Sequence, residues 1–306
     1  MGEGKRALPY WLVYAVIWLG AVAWLAMNGA DWASPVMALI LFGAVPSALG
    51  WWLTRRADPP ETPVARPGLE LGAVVVYLLL YAFLFLGPGM SALRAALAPG
   101  AAQDALVLAA KLLAHVGLPA ALLILLGARV RPLFDAGTAR KGFWPALLVL
   151  GAYLVGLNAL VSPSLGNIAA LHPPVPTLVW AVPVFYLLIS LEAGLCEEFL
   201  YRAVLQTRLA AWLRSAAAAI PVMALLFALA HAPGLYLRGG PGVDGWSADP
   251  IQVAVFTVAI LSPVGLFFGL VWWRTRSLLL VVLLHGAIDL LPNLPRFLQH
   301  VAGAGG

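Results

Sequence analysis

Charged residues are scarce in this chain. Only 10% of its 306 residues are Asp, Glu, Lys or Arg, whereas 62% are hydrophobic. A soluble globular domain carries about 25% charged residues, so this composition excludes that class. Cysteine is almost missing as well: Cys196 is the single one, which excludes a disulfide within this chain and any zinc site built from several cysteines. The alternating pattern of membrane β-strands is also absent.

Long apolar runs are what the sequence has instead. They recur along the whole length, and each reaches the roughly 20 residues that a helix needs to cross a bilayer. A helix satisfies its own backbone hydrogen bonds in lipid, so we predict an all-α, polytopic transmembrane helical bundle of about nine spans. The predicted spans are Leu8–Met27, Ala33–Leu53, Leu71–Leu86, Ala105–Gly127, Phe143–Val161, Leu178 to at least Tyr201, Ala216–His231, Ile251–Trp273 and Ser277–Leu294. The third is short. If Glu197, His231 and His285 lie at one depth in the membrane, the sixth helix has to reach at least Leu209.

The basic residues are distributed unevenly between the predicted loops. Of the 18 Lys and Arg residues, 14 fall on one side of the bundle. Because basic loops mark the cytoplasmic face, we expect a cytoplasmic N-terminus, and the net charge of +5 reports topology rather than nucleic-acid binding. The start MGEGKR leads directly into the first span and does not resemble a cleaved signal peptide. We expect an integral membrane protein in contact with lipid, and the Ala/Leu/Arg/Gly-rich composition indicates a bacterial cell membrane.

Polar groups at membrane depth divide the chain into two parts. The first five spans hold few of them, and the last four hold nearly all. We therefore predict accessory transmembrane helices over residues 1–176 and a C-terminal four-helix catalytic part over residues 177–294. In the first part, Lys111 and His115 share one face of the fourth span. Either they form a proton path, or Lys111 contacts a neighbouring helix or snorkels to the membrane interface.

Two adjacent glutamates, Glu197 and Glu198, lie in the apolar run LISLEAGLCEEFLYR. A carboxylate in hydrocarbon is costly, so such residues point to function. Arg202 follows Glu198 by four residues, a spacing that places both on one helix face and predicts an ion pair. Glu197 lies about 100° around the helix from Glu198 and therefore points in a different direction. We predict a structural Glu198 and a Glu197 that is free to act as a general base.

Two histidines follow in later spans. His231 ends the run LLFALAH, and His285 precedes Asp289 by one helical turn in LLHGAID. The spacing of His285 and Asp289 suits either an imidazole oriented by a carboxylate or two ligands of one metal ion. Glu192 lies five residues before Glu197 and is expected on another face of its helix.

Three motifs therefore occur in order at membrane depth. They are Glu-Glu-x-x-x-Arg (Glu197, Glu198, Arg202), Phe-x-x-x-His (Phe227, His231) and His-x-x-x-Asp (His285, Asp289). Together they resemble the CAAX-protease and bacteriocin-processing family of intramembrane endopeptidases, over roughly Leu178–Leu294. The resemblance implies peptide or membrane-protein substrates, often cut near C-terminal or leader regions. In the family's prenyl-protein proteases the third motif ends in Asn, and the Asp289 carboxylate cannot donate a hydrogen bond to an oxyanion as that amide can.

The resemblance implies hydrolysis of a peptide bond by a water that Glu197, with or without Glu198, activates. His231 and His285 would position the water and stabilise the oxyanion, Asp289 would orient His285, and Arg202 and Phe227 would support the site. The cofactor stays open: none, or a Zn²⁺ held by Glu197, His231, His285 and Asp289, although no HExxH motif is present. Two other functions also stay open, a non-proteolytic immunity or scaffold protein and a proton-coupled transporter, although broken-helix repeats are missing.

Overall fold

The computed structural model describes residues 3–98 and 100–303, and these residues form helices and connections without a β-strand. Nine of the helices in this part of the chain are long and apolar enough to cross a membrane, as the apolar runs predict. They are α1 Glu3–Met27, α2 Ala33–Leu53, α3 Pro67–Ala95, α4 Ala101–Leu125, α5 Phe143–Val161, α6 Val175–Leu213, α7 Ala216–Arg238, α8 Pro250–Thr275 and α9 Leu278–Gly303. The protein is an integral membrane protein.

Three helices extend beyond the apolar runs that predict them. The prediction of a short third span is wrong, because α3 continues through π-helical turns at Tyr81–Gly89 and reaches 29 residues. Helix α9 likewise passes Pro292 and Pro295. A proline removes only one backbone donor, and neighbouring helices can accommodate that loss in a membrane bundle. The prediction for the sixth helix is confirmed, since α6 is 39 residues long and extends beyond Leu209.

Helices α6 and α7 form a tight antiparallel pair. Helix α6 ends in a left-handed residue, Arg214, with φ 53°, and the Ser215 hydroxyl caps α7 by accepting from Ala218 N at 3.2 Å. Glu197 and His231 each lie 17 residues from Arg214. The hairpin brings them to one level, since Glu197 Oε2 lies 3.4 Å from His231 Nε2.

Small residues allow the central helices to pack closely. Helix α8 packs against α7 where Gly265 faces Ala224, and a Cβ on Gly265 would lie 2.9 Å from the Ala224 Cα atom. Helices α6 and α9 meet in the same way, since a Cβ on Gly194 would lie 2.6 Å from the Val282 carbonyl oxygen. Such contacts are typical of membrane helix interfaces. The second one sets the separation between the polar groups of α6 and α9.

The basic loops meet at one end of the bundle. There, Arg6 donates to the Arg214 carbonyl at 3.5 Å and Arg274 donates to the Thr54 carbonyl at 2.9 Å. Helix α9 starts at this end, where Leu278 N donates to the Asp135 carbonyl at 2.9 Å. That this end is cytoplasmic stays a prediction.

Candidate active site

Glu198 joins two helices inside the bundle. Its Oε2 accepts from Arg202 Nε at 3.1 Å on the next turn of α6, and both side chains are 0% exposed. Its Oε1 accepts from His285 Nδ1 on α9 at 2.8 Å. The α6–α9 interface thus makes Glu198 the carboxylate that orients the Nδ1 side of His285. We expected this contact from Asp289, which lies instead on the Nε2 side, with its Oδ2 at 3.4 Å.

Aromatic rings surround the buried Arg202 guanidinium. Its NH1 and NH2 groups make no hydrogen bond within the described part of the chain, and the guanidinium lies 4.6 Å from the Phe227 ring centre and 5.9 Å from that of Phe268. A ring face attracts a cation, and more strongly away from water. Phe227 also contacts the His231 ring at 4.6 Å, and Phe268 stacks on His285 at 5.2 Å. Phe268 carries no signal in the sequence, where it is one aromatic residue in an apolar run.

Glu197 faces a different space from Glu198. Its Oε2 lies 3.4 Å from His231 Nε2 and 3.8 Å from His285 Nε2, and it has no hydrogen-bond partner among the described residues. The Glu197 side chain is 25% exposed, in contrast to the fully buried Glu198. The structure therefore brings Glu197, His231, His285 and Asp289 together from α6, α7 and α9.

The hydrogen bonds of the two histidines define their protonation pattern. His231 Nδ1 donates to the Phe227 carbonyl at 2.7 Å, and His285 Nδ1 donates to the Glu198 carboxylate. Both partners are acceptors, so a neutral imidazole at either position has its lone pair at Nε2. Both Nε2 atoms face Glu197, so two imidazole lone pairs and a carboxylate lie close together. Extra protons on the imidazoles, or a water that donates to these acceptors, would stabilise this arrangement.

A set of two histidines and a carboxylate is chemistry that zinc proteins use, and a histidine ligand commonly donates its other N–H to a carbonyl or carboxylate. The side chains of residues 3–98 and 100–303 nevertheless present no group of three or more His, Cys, Asp or Glu arranged to hold a metal ion. A metal-free site stays a prediction, and no step below is routed through a metal ion.

The N-terminal helices also reach the site. Lys111 Nζ on α4 forms an ion pair at 2.9 Å with Oε1 of Glu192 on α6. One turn further along α4, His115 donates from Nδ1 to the Lys111 carbonyl at 2.9 Å, and its ring contacts Tyr81 of α3 at 5.0 Å. The sequence places Lys111 and His115 on one face, but Glu192 as the partner of Lys111 follows only from the packing of α4 on α6.

Comparison with known proteins gives one result. Residues 179–291 match the family described as Type II CAAX prenyl endopeptidase Rce1-like. This segment contains all three polar motifs, and it is similar to the CAAX-protease family, as the motifs imply. The match supports an intramembrane CAAX-type endopeptidase in general. Neither the curated proteins nor the solved structures gave a match to this chain.

Proposed function

We propose that this protein is an intramembrane endopeptidase in which Glu197 activates a water that hydrolyses a peptide bond of a membrane protein or membrane-associated peptide. The observation that carries the proposal is the environment of Glu197 Oε2. This oxygen has no hydrogen-bond partner in the described chain and lies within 3.8 Å of the Nε2 atoms of two histidines from two other helices. A general base requires a free lone pair within reach of the proton that it takes.

The two glutamates have separate roles in this proposal. Glu198 is 0% exposed, and its oxygens are committed to Arg202 and His285. It therefore positions His285 and holds no place for a water. The Glu197 side chain is partly exposed and faces the histidines. A water that enters beside this pair would donate one hydrogen to Glu197 and another to the lone pair of a neutral His231.

The reaction follows from these positions. Glu197 takes a proton from the water as the water oxygen bonds to the carbonyl carbon of the substrate. His285, held as an imidazolium between Glu198 on one side and Asp289 on the other, donates from Nε2 to the resulting oxyanion. The protonated Glu197 then transfers its proton to the amide nitrogen, the C–N bond breaks, and the new amine and carboxylic acid leave. Low dielectric around the site strengthens each of these hydrogen bonds.

The test compares membranes of the host that carry wild-type protein, Glu197→Gln or a matched control. Glu61→Gln serves as the control because Glu61 is exposed in the connection between α2 and α3. We expect at least one membrane protein or peptide to accumulate in a longer, uncleaved form with Glu197→Gln only, as intact-mass analysis would show. Identical membrane proteins and peptides in all three strains would contradict the proposal.

A further inference from the structure

Helices α4 and α9 each carry a polar face within an apolar span. On α4, Asp104 and His115 lie on the same face as Lys111, within about 40° at 100° per residue. On α9, the polar residues that follow His285 lie within about 60° of one another. They are Asp289, Asn293, Arg296 and His300.

Side-chain pairs connect these two faces across α6, which packs against both helices. At the rim, where α4 begins and α9 ends, Asp104 Oδ2 lies 3.6 Å from His300 Nε2. Midway along α4, Lys111 pairs with Glu192 of α6 at 2.9 Å. One and a half turns further along α6 comes Glu197. The polar faces thus lead from the rim to the proposed catalytic base.

The charged groups along this route are open on one side. Lys111 is 26% exposed, Glu192 45% and Asp289 32%, although all three belong to membrane-spanning helices. A charge facing hydrocarbon is costly, so the open space beside these groups holds water or a polar ligand rather than lipid tails. The ion pair of Glu198 and Arg202, by contrast, is closed off completely.

We infer that the polar faces of α4 and α9, together with Glu192, line a polar cleft that admits an extended polypeptide segment to Glu197 from the end of the bundle opposite the basic loops. This inference rests on the proposed function. His285 and His300 are 15 residues apart, so the cleft is about 22 Å long at the rise of an α-helix. At about 3.3 Å per extended residue it accommodates six or seven residues. Acids, bases and an amide side by side match the alternating N–H and C=O groups of a peptide backbone.

Cysteine labelling tests the cleft without reference to catalysis. Lys111→Cys and Asn293→Cys place a thiol in the cleft, and Leu113→Cys places one on the other face of α4 at nearly the same depth. Leu113 is 57% exposed, more than Lys111, so simple exposure favours the control. The native Cys196 is 1% exposed and gives the background. A charged, membrane-impermeant methanethiosulfonate needs water and a thiolate, so we expect the cleft thiols to react at least about tenfold faster than Leu113→Cys.

Substrate kinetics test the occupant. With the substrate found through the Glu197→Gln comparison, we expect Lys111→Gln to raise KM about tenfold and to change kcat less than about threefold, because Lys111 contacts the bound peptide away from the reacting bond. Equal labelling at all three positions would refute the cleft and leave the protease proposal untouched. Fast labelling with an unchanged KM would show a water-filled channel and refute peptide binding.

Discussion

Two neighbouring glutamates of α6 have opposite surroundings at the scale of single residues. Glu198 is enclosed, with Arg202 at 3.1 Å and His285 at 2.8 Å. Glu197, one residue earlier, turns about 100° away and meets two imidazole nitrogens that leave its Oε2 free. One helix therefore presents both the carboxylate that holds a histidine and the carboxylate that can take a proton.

Removing the charge of Glu198 should destabilise the protein. In Glu198→Gln the buried Arg202 loses the charged partner that it has among the described residues, and a single uncompensated buried charge costs about 3–5 kcal/mol. We expect a clearly lower thermal midpoint in detergent micelles, measured by intrinsic fluorescence, together with lost cleavage. Glu197→Gln is the matched control, with an expected change below about 0.5 kcal/mol and no cleavage, because its Oε2 makes no hydrogen bond among the described residues. Equal stability of both variants would contradict the separate roles.

The chemistry of the site should not depend on a metal ion. The observed donor arrangement does not form a metal-holding group in the described chain, and Glu197 can take a proton from water directly. We expect purified protein to contain less than stoichiometric zinc by elemental analysis and to keep its cleavage activity after prolonged treatment with a strong chelator. One zinc per chain, lost in a His231→Ala/His285→Ala double variant, would overturn this mechanism in favour of a His₂-carboxylate zinc site.

At the scale of helices, the crossing of α6 and α9 determines the geometry of the site. In Gly194→Ala, the new Cβ would lie 2.6 Å from the Val282 carbonyl oxygen, so one helix has to move. Overpacking of this kind costs about 1–3 kcal/mol. We expect cleavage to fall at least about tenfold, because a shift of α9 lengthens the bond from His285 to Glu198.

The matched control for that crossing is Gly156→Ala on α5. A Cβ at Gly156 has no heavy atom within 4 Å, and alanine favours helix more than glycine does. Its stability should be at least that of the wild type, and its cleavage should be unchanged. If Gly194→Ala behaves like Gly156→Ala in thermal unfolding and in cleavage assays, the close approach of α6 and α9 does not control the site.

Much of this helical arrangement can be predicted from the sequence, because its signals are local. The nine spans follow from runs of apolar residues, and the pair Glu198–Arg202 follows from a spacing of four on one helix. The equal depth of Glu197 and His231 follows from counting residues to the turn at Arg214. Each of these inferences uses only distances along the chain.

The remaining features depend on how separate helices pack. The bond between Glu198 and His285 joins residues 87 positions apart, and the pair Lys111–Glu192 joins residues 81 apart. The sequence contains both partners in each case but gives no rule for matching them. The lengths of α3 and α9 also depend on packing. The prolines at 88, 292 and 295 predict helix ends, but the helices continue past them because neighbouring helices accommodate the lost backbone hydrogen bonds.

At the scale of the whole molecule, the N-terminal helices are tied to the proposed catalytic part. Glu70 at the start of α3 accepts from Arg208 Nε of α6 at 3.1 Å, and both side chains are 1% exposed. Glu70 Oε1 also accepts from Arg66 N at 3.0 Å, and Arg208 NH1 donates to the Ala203 carbonyl at 3.2 Å. The division at residue 176 stays a prediction about roles, but this buried pair crosses it.

We therefore expect Glu70→Gln to destabilise the site even though Glu70 lies outside the segment of residues 179–291 that matches the protease family. The variant leaves Arg208 without its buried partner, which costs about 3–5 kcal/mol. Because Glu197 and Glu198 lie on the same helix as Arg208, unfolding should remain a single transition at a lower temperature, and cleavage should fall in parallel with the folded fraction. Glu61→Gln, an exposed change in the connection that precedes α3, should unfold at the wild-type temperature. A variant Glu70→Gln in which α6 to α9 keep wild-type protection against hydrogen exchange and full cleavage, while α3 alone loses protection, would show instead that the two parts fold independently.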